Sequence, residues 1–180
     1  ILESAQIKLK RNLKAEAIVS LDSLIDSKAY NNIKITALML KGKALYEQGA
    51  LSADKITDAI KAFDLILSMD KLSTSSRNEA IFRKAKSFEF LGQETKSLEL
   101  YYQILTAPRP PLIENEKPEM NWHFKSGFEC IRILTSRNNN QDLRAAIIIA
   151  DQLSSINGTR SPEAKVISER LKLENFIWDE

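Results

Sequence analysis

The chain has 180 residues, of which 43% are hydrophobic and 28% are charged, so it can bury a sizeable core. Its 26 Lys and Arg residues nearly balance its 24 Asp and Glu residues, and a net charge of +2 is too small for the basic field that nucleic-acid phosphates require. The single cysteine excludes an internal disulfide and a cysteine-based zinc site.

The spacing of apolar residues predicts an all-α protein. The chain has only five Gly and five Pro, and every long segment shows apolar residues at helical spacing. No apolar run approaches the ~18 residues of a membrane span, so we expect no direct membrane insertion of this segment. The helical pattern is already present at Ile1. We therefore expect a segment of a longer protein, with any N-terminal targeting sequence upstream.

A nine-residue motif recurs four times along the chain. It reads AIVSLDSLI at 17–25, AIKAFDLIL at 59–67, SLELYYQIL at 97–105 and AIIIADQLS at 146–154. The key residues of each copy occupy positions i, i+1, i+4 and i+7, which form one buried face of a helix. Because such a unit cannot bury its apolar face alone, the recurrence predicts stacked helical repeats.

Each copy of the motif follows another predicted helix, so the repeating unit is a helical pair. We expect about eight or nine antiparallel helices in a single helical-repeat domain. Its predicted parts are a partial repeat at 1–30, repeats at 33–70, 77–107 and 119–157, and a capping helix at 161–178.

The helical pairs resemble the tetratricopeptide repeat, which has a small residue within the first helix and a small residue opening the second. The best match is 81–105, where the signature positions hold Ala85, Phe88, Gly92, Ser97, Tyr101 and Ile104. The motif copies start 42, 38 and 49 residues apart, further than the usual 34. The resemblance implies a right-handed superhelix, closed by a C-terminal capping helix, that acts as a scaffold for a protein or peptide partner.

The family resemblance also implies a concave groove lined by the first helix of each pair. The groove residues expected on this basis are Met39, Lys43, Tyr46, Phe82, Lys86, Phe90, Phe124, Phe128 and Arg132. Phenylalanine rings interleaved with cations suit a peptide with apolar anchors and an acidic residue. Met39 and Phe82 occupy places where the family's clamp for a C-terminal carboxylate needs polar groups, which argues against that ligand. The alternative is that some of these rings pack against the rest of the chain.

No group of residues predicts catalysis, a metal site or a cofactor. His123 and Cys130 are seven residues apart, hence ~10 Å along a helix, which is too far for proton transfer. Glu114, Glu116 and Glu119 have no partnering His or Asp cluster and are interpreted as solvated. We therefore expect a protein that is not an enzyme.

Two short segments leave alternatives open. The prolines at 108–111 form a minimal polyproline ligand or a simple connection between helices. The apolar residues at 176–178 either fold back as a cap or present a docking surface. A structural spacer that self-associates through its ends is the alternative to partner binding for the whole segment.

Overall fold

The computed structural model of the protein describes residues 1–107, 120–156 and 158–175, apart from the side chain of Leu51. Within these ranges all regular secondary structure is helical and there is no strand, which confirms the predicted all-α fold. The α-helices are α1 (Leu2–Lys10), α2 (Lys14–Ile25), α3 (Asn31–Glu47), α4 (Ala53–Leu67), α5 (Thr74–Phe90), α6 (Glu94–Thr106), α7 (Asn121–Ser136), α8 (Asn140–Ser154) and α9 (Ser161–Glu174), with a 3-10 helix at Gly49–Leu51.

Contacts divide the chain into two compact units, Ile1–Ser97 and Leu98–Glu180. In the first unit, α1 to α4 each pack against the next helix, and α3 also contacts α5. In the second unit, α7 packs against α8, and α8 packs against α9. The helices thus pack with their neighbours in sequence, as expected for helical repeats. The predicted repeat boundaries within a single domain stay a prediction.

The four copies of the nine-residue motif lie in the even-numbered helices α2, α4, α6 and α8. The first, fifth and eighth positions of every copy are buried, as the helical spacing predicts. These buried residues are Ala17, Leu21, Leu24, Ala59, Phe63, Ile66, Ser97, Tyr101, Ile104, Ala146, Ala150 and Leu153. The motif is therefore the side of each even-numbered helix that faces the core.

The sixth position of the motif is an aspartate in three copies, and each aspartate pairs with a lysine on the next helix. Lys41 of α3 pairs with Asp22 of α2 at 2.5 Å. Lys84 of α5 pairs with Asp64 of α4 at 2.6 Å. At the C-terminal end, Lys172 lies 3.2 Å from Asp151. We call these three ion pairs the aspartate clamps, because each joins two consecutive helices.

Candidate functional site

The first unit contains a surface built from α3 and α5, and we define this α3–α5 surface by Lys43, Tyr46, Glu79, Arg83 and Phe90. Lys43 pairs with Glu79, and the Tyr46 ring contacts the Phe90 ring. The two contacts follow the same order along both helices, so α3 and α5 run in the same direction. This is the arrangement expected when the antiparallel α4 packs against both of them.

Three charged groups of the surface meet at one oxygen atom. The Lys43 Nζ lies 2.9 Å from the Glu79 Oε1. The Nε and Nη2 atoms of Arg83 both lie 2.8 Å from the same oxygen. Partial burial raises the pKa of Glu79, but hydrogen bonds from Lys43 and Arg83, together with their charges, lower it below its usual value overall. The cluster therefore carries two positive charges and one negative charge at neutral pH.

Two aromatic rings lie beside this cluster. The Tyr46 and Phe90 ring centroids are 6.1 Å apart, and the rings meet edge to face at 71°. Phe90 ends α5 and remains 48% exposed, whereas Tyr46 is half-buried. Lys86 lies between Arg83 and Phe90 along α5 and pairs with Glu89 at 3.5 Å. The surface thus combines an exposed apolar ring with an excess of positive charge.

Two of the predicted groove residues lie in the core instead. Met39 is 7% exposed and belongs to the core cluster formed by α3, α4 and α5. Phe124 is 3% exposed. For Met39 the physical reason is that α3 packs against α2, α4 and α5, so a wide arc of its circumference is buried. Phe82, from the same predicted set, is half-buried.

Two phenylalanine rings of α7 contact the turn that precedes α9. Phe124 and Phe128 stack with their ring centroids 6.3 Å apart and 21° between the ring planes. A Cβ atom added to Gly158 would lie 2.7 Å from the Phe124 ring, so this turn lies directly against it. Arg160 places its guanidinium carbon 4.1 Å from the Phe128 ring centroid. Both rings therefore contact residues of the turn before α9, and Phe128 stays half-buried.

Arg132, the remaining predicted groove residue, is exposed on α7. Its Nε lies 2.8 Å from the Glu129 Oε2, one turn earlier on the same helix. A surface pair of this kind contributes little to stability and leaves the side chain accessible. Apart from the buried Met39 and Phe124, the groove assignments of the predicted residues all stay predictions.

Glu79 and Arg83 are missing from the predicted set, although they form the centre of the ionic cluster. Their spacing of four residues, with the acid first, is a favourable helical pair that the sequence displays openly. The position of Lys43 next to them could not be obtained from that spacing, because it depends on how α3 and α5 align. Only the packed helices bring the second cation to the same carboxylate.

The histidine and the cysteine of α7 both belong to the buried part of that helix. Both side chains are buried, and burial together with the nearby Glu129 raises the pKa of Cys130 to about 12. The thiol is therefore protonated at neutral pH and is a poor nucleophile. His123 lines a cleft of about 450 Å³ with residues of α6 and α8, including Leu105 and Gln152.

The described ranges contain no group of three His, Cys, Asp or Glu residues arranged to hold a metal ion. Among the helices within those ranges, none combines the length and hydropathy needed to cross a membrane. The prolines at 108–111, the glutamates at 114, 116 and 119, and the apolar residues at 176–178 lie outside the described residues.

Comparisons of the chain with protein-family models, with curated proteins and with solved structures found no match. A function can therefore be inferred only from the residues and contacts of the structure, and the α3–α5 surface offers the most informative set.

Proposed function

We propose that the protein is a non-catalytic binding module of tetratricopeptide-like helical pairs that holds a peptide or protein partner. The α3–α5 surface is the proposed centre of binding. The observation that supports this most strongly is Phe90, a large ring that is 48% exposed beside Tyr46 and the cationic cluster. Exposed aromatic residues next to arginine are typical of interface hot spots.

Exposure of the Phe90 ring to water is unfavourable in free energy, and a partner that covers the ring would remove this cost. Burying apolar surface contributes about 25 cal/mol per Å², and an aromatic ring offers a large area on a rigid side chain. The ring is also held in place, because it packs edge to face against Tyr46. A partner that covers it therefore gains contact area with little loss of side-chain freedom.

A comparative affinity capture tests this function. The intact chain, the Tyr46→Ala/Phe90→Ala double variant and Leu65→Ala would each be immobilised, and bound proteins quantified by mass spectrometry. Leu65 is the matched control, because it is 54% exposed on α4 of the same unit but does not belong to the α3–α5 surface. We expect a partner that the intact chain and Leu65→Ala retain and the double variant loses. Equal capture by all three proteins, with unchanged helicity by circular dichroism, would refute the assignment.

A second candidate function is a structural spacer or oligomerisation segment without a peptide ligand. The observation that favours it is that the turn before α9 contacts the Phe124 and Phe128 rings, so that this part of the predicted groove is occupied by the chain itself. Sedimentation over a wide range of concentrations separates the two candidates for self-association. A constant monomer would contradict oligomerisation through the ends, whereas a concentration-dependent mass would support it.

A further inference from the structure

We infer that the α3–α5 surface binds a peptide segment of another protein that carries a side-chain carboxylate and an apolar side chain about 10 Å apart, a spacing set by two helical turns. The carboxylate binds between Lys43 and Arg83, and the apolar side chain covers Phe90. This inference rests on the proposed function and deepens it by naming the chemistry of the partner.

The charge of the Lys43–Glu79–Arg83 cluster is complementary to a carboxylate. Glu79 neutralises only one of the two cations that contact it. Arg83 uses two of its five N–H groups and Lys43 one of its three on that carboxylate, and the described residues engage none of the others. A second carboxylate can therefore accept hydrogen bonds from both cations without displacing Glu79. These would be charge-assisted hydrogen bonds, which are stronger than neutral ones.

The distance between Arg83 and Phe90 determines the spacing of the two groups on the peptide. Arg83 and Phe90 lie seven residues apart on α5, which places them two turns and about 10 Å apart on one side of the helix. Lys86 lies between them in the same stripe. A peptide in the polyproline II conformation has three residues per turn and advances about 3.1 Å per residue, so an acidic residue and an apolar residue three positions apart lie on one side and match this distance. In a helical peptide the matching separation is seven positions.

The charge pattern of the surface suits a peptide carboxylate better than a phosphate backbone. Glu79 and Glu89 interrupt the basic residues of α5, and the chain as a whole carries a net charge of only +2. A nucleic acid needs a continuous positive track for its repeated phosphates. The surface instead offers one local excess of positive charge beside one exposed ring, which suits a single acid next to an apolar residue.

A phage-displayed library of random 12-residue peptides, selected on the intact chain, tests the inference. We expect the enriched peptides to carry Asp or Glu three or seven positions from Leu, Ile or Phe. Competition with a synthetic copy of the most enriched peptide would confirm a shared site. A library that enriches no peptide would overturn both the inference and peptide binding as the proposed function. Enriched peptides that need Phe90 but carry no acid would overturn the inference alone.

A double-mutant cycle on the synthetic peptide then locates the carboxylate. Replacing its acidic residue by the matching amide should weaken binding about five-fold, and Arg83→Gln should do the same, as for a partly exposed ion pair. The two changes together should cost no more than the amide change alone, because the carboxylate that Arg83 would contact is then already absent. Fully additive losses would overturn the assignment to Arg83.

Lys61→Gln is the matched charge control for this cycle. Lys61 is an exposed lysine on α4 that pairs with Asp58 of the same helix, so its removal changes the net charge by the same amount. We expect the affinity of Lys61→Gln for the peptide to equal that of the parent chain. A loss as large as that of Arg83→Gln would mean that overall charge governs binding, which would overturn the local site.

Discussion

Gly42 sets the distance between α3 and α4. A Cβ atom at this position would lie 2.5 Å from the Cε1 atom of Phe63, well inside contact distance. Phe63 is fully buried and occupies the fifth position of its motif copy, so its ring cannot move aside freely. The absence of one side chain on α3 thus makes room for the largest apolar residue of the α4 motif.

The Gly42→Ala variant should be less stable than the parent. Overpacking of a core costs about 1–3 kcal/mol, and the better helix propensity of alanine returns up to about 1 kcal/mol. We expect the free energy of unfolding to fall by about 1 kcal/mol in urea titrations. In a Phe63→Leu background the added methyl group has space, and the same substitution should become neutral or stabilising. An equal loss in both backgrounds would contradict the steric explanation.

Glu79 should make the protein sensitive to acid. The folded chain lowers its pKa, so its stabilising contribution is complete above its unfolded pKa of about 4.3 and is lost as pH falls through the folded value. We expect Glu79→Gln to be less stable than the parent by about 1 kcal/mol at pH 7, with the difference shrinking as the pH is lowered below about 4.3. Urea unfolding at several pH values measures this. A stability difference that does not change with pH would contradict the ion pair as its cause.

Individual buried residues were largely predictable, whereas the surface was not. Of the sixteen key positions of the motif, all but Ile18 are buried, because helical periodicity depends only on local spacing. Met39 and Phe124 were expected on a surface but are buried, since their exposure depends on how many neighbours surround each helix. Neighbouring helices, unlike periodicity, cannot be read from one segment alone.

At the scale of helices, the aspartate clamps connect consecutive elements in a recurring way. Asp22, Asp64 and Asp151 occupy the same motif position, and each contacts a lysine of the next helix. The third copy has Tyr102 there instead. The recurrence of the aspartate is visible in the sequence, but its lysine partners are not, because they follow the aspartates at three different separations, 19, 20 and 21 residues. The start of α3 was predicted more accurately than these lysine partners. The repeat is expected from residue 33, and α3 begins at Asn31.

Asp151 should control how firmly α9 holds to α8. It accepts a hydrogen bond from the buried Ser168 hydroxyl at 2.6 Å as well as pairing with Lys172. Asp151→Ala leaves that hydroxyl without this acceptor, a change that costs about 1–2 kcal/mol. We expect faster amide hydrogen exchange throughout α9, measured by mass spectrometry. The matched variant Asp22→Ala removes the equivalent aspartate from the first unit and should leave exchange in α9 unchanged.

At the scale of the whole molecule, contacts concentrate within 1–97 and within 98–180. Helical-repeat proteins behave as chains of neighbouring interactions, so a local loss of stability spreads only a short distance. We expect Ile66→Val to cost about 1 kcal/mol and to raise hydrogen exchange in α3 to α5 more than in α7 to α9. Ile133→Val, an equally buried position on α7, should give the opposite pattern. Uniform changes in both variants would indicate one cooperative unit.

The register of two aspartate clamps has a consequence for how such a chain could change its length. Lys41 precedes Gly42 and Lys84 precedes Ala85, so each lysine lies just before the small residue of its helix. A deletion from Gly42 through Lys84 would join the start of one helix to the end of another and leave Asp22 facing Lys41 as before. Unequal recombination at these positions would therefore add or remove a helical pair and keep an aspartate paired with a lysine at the junction.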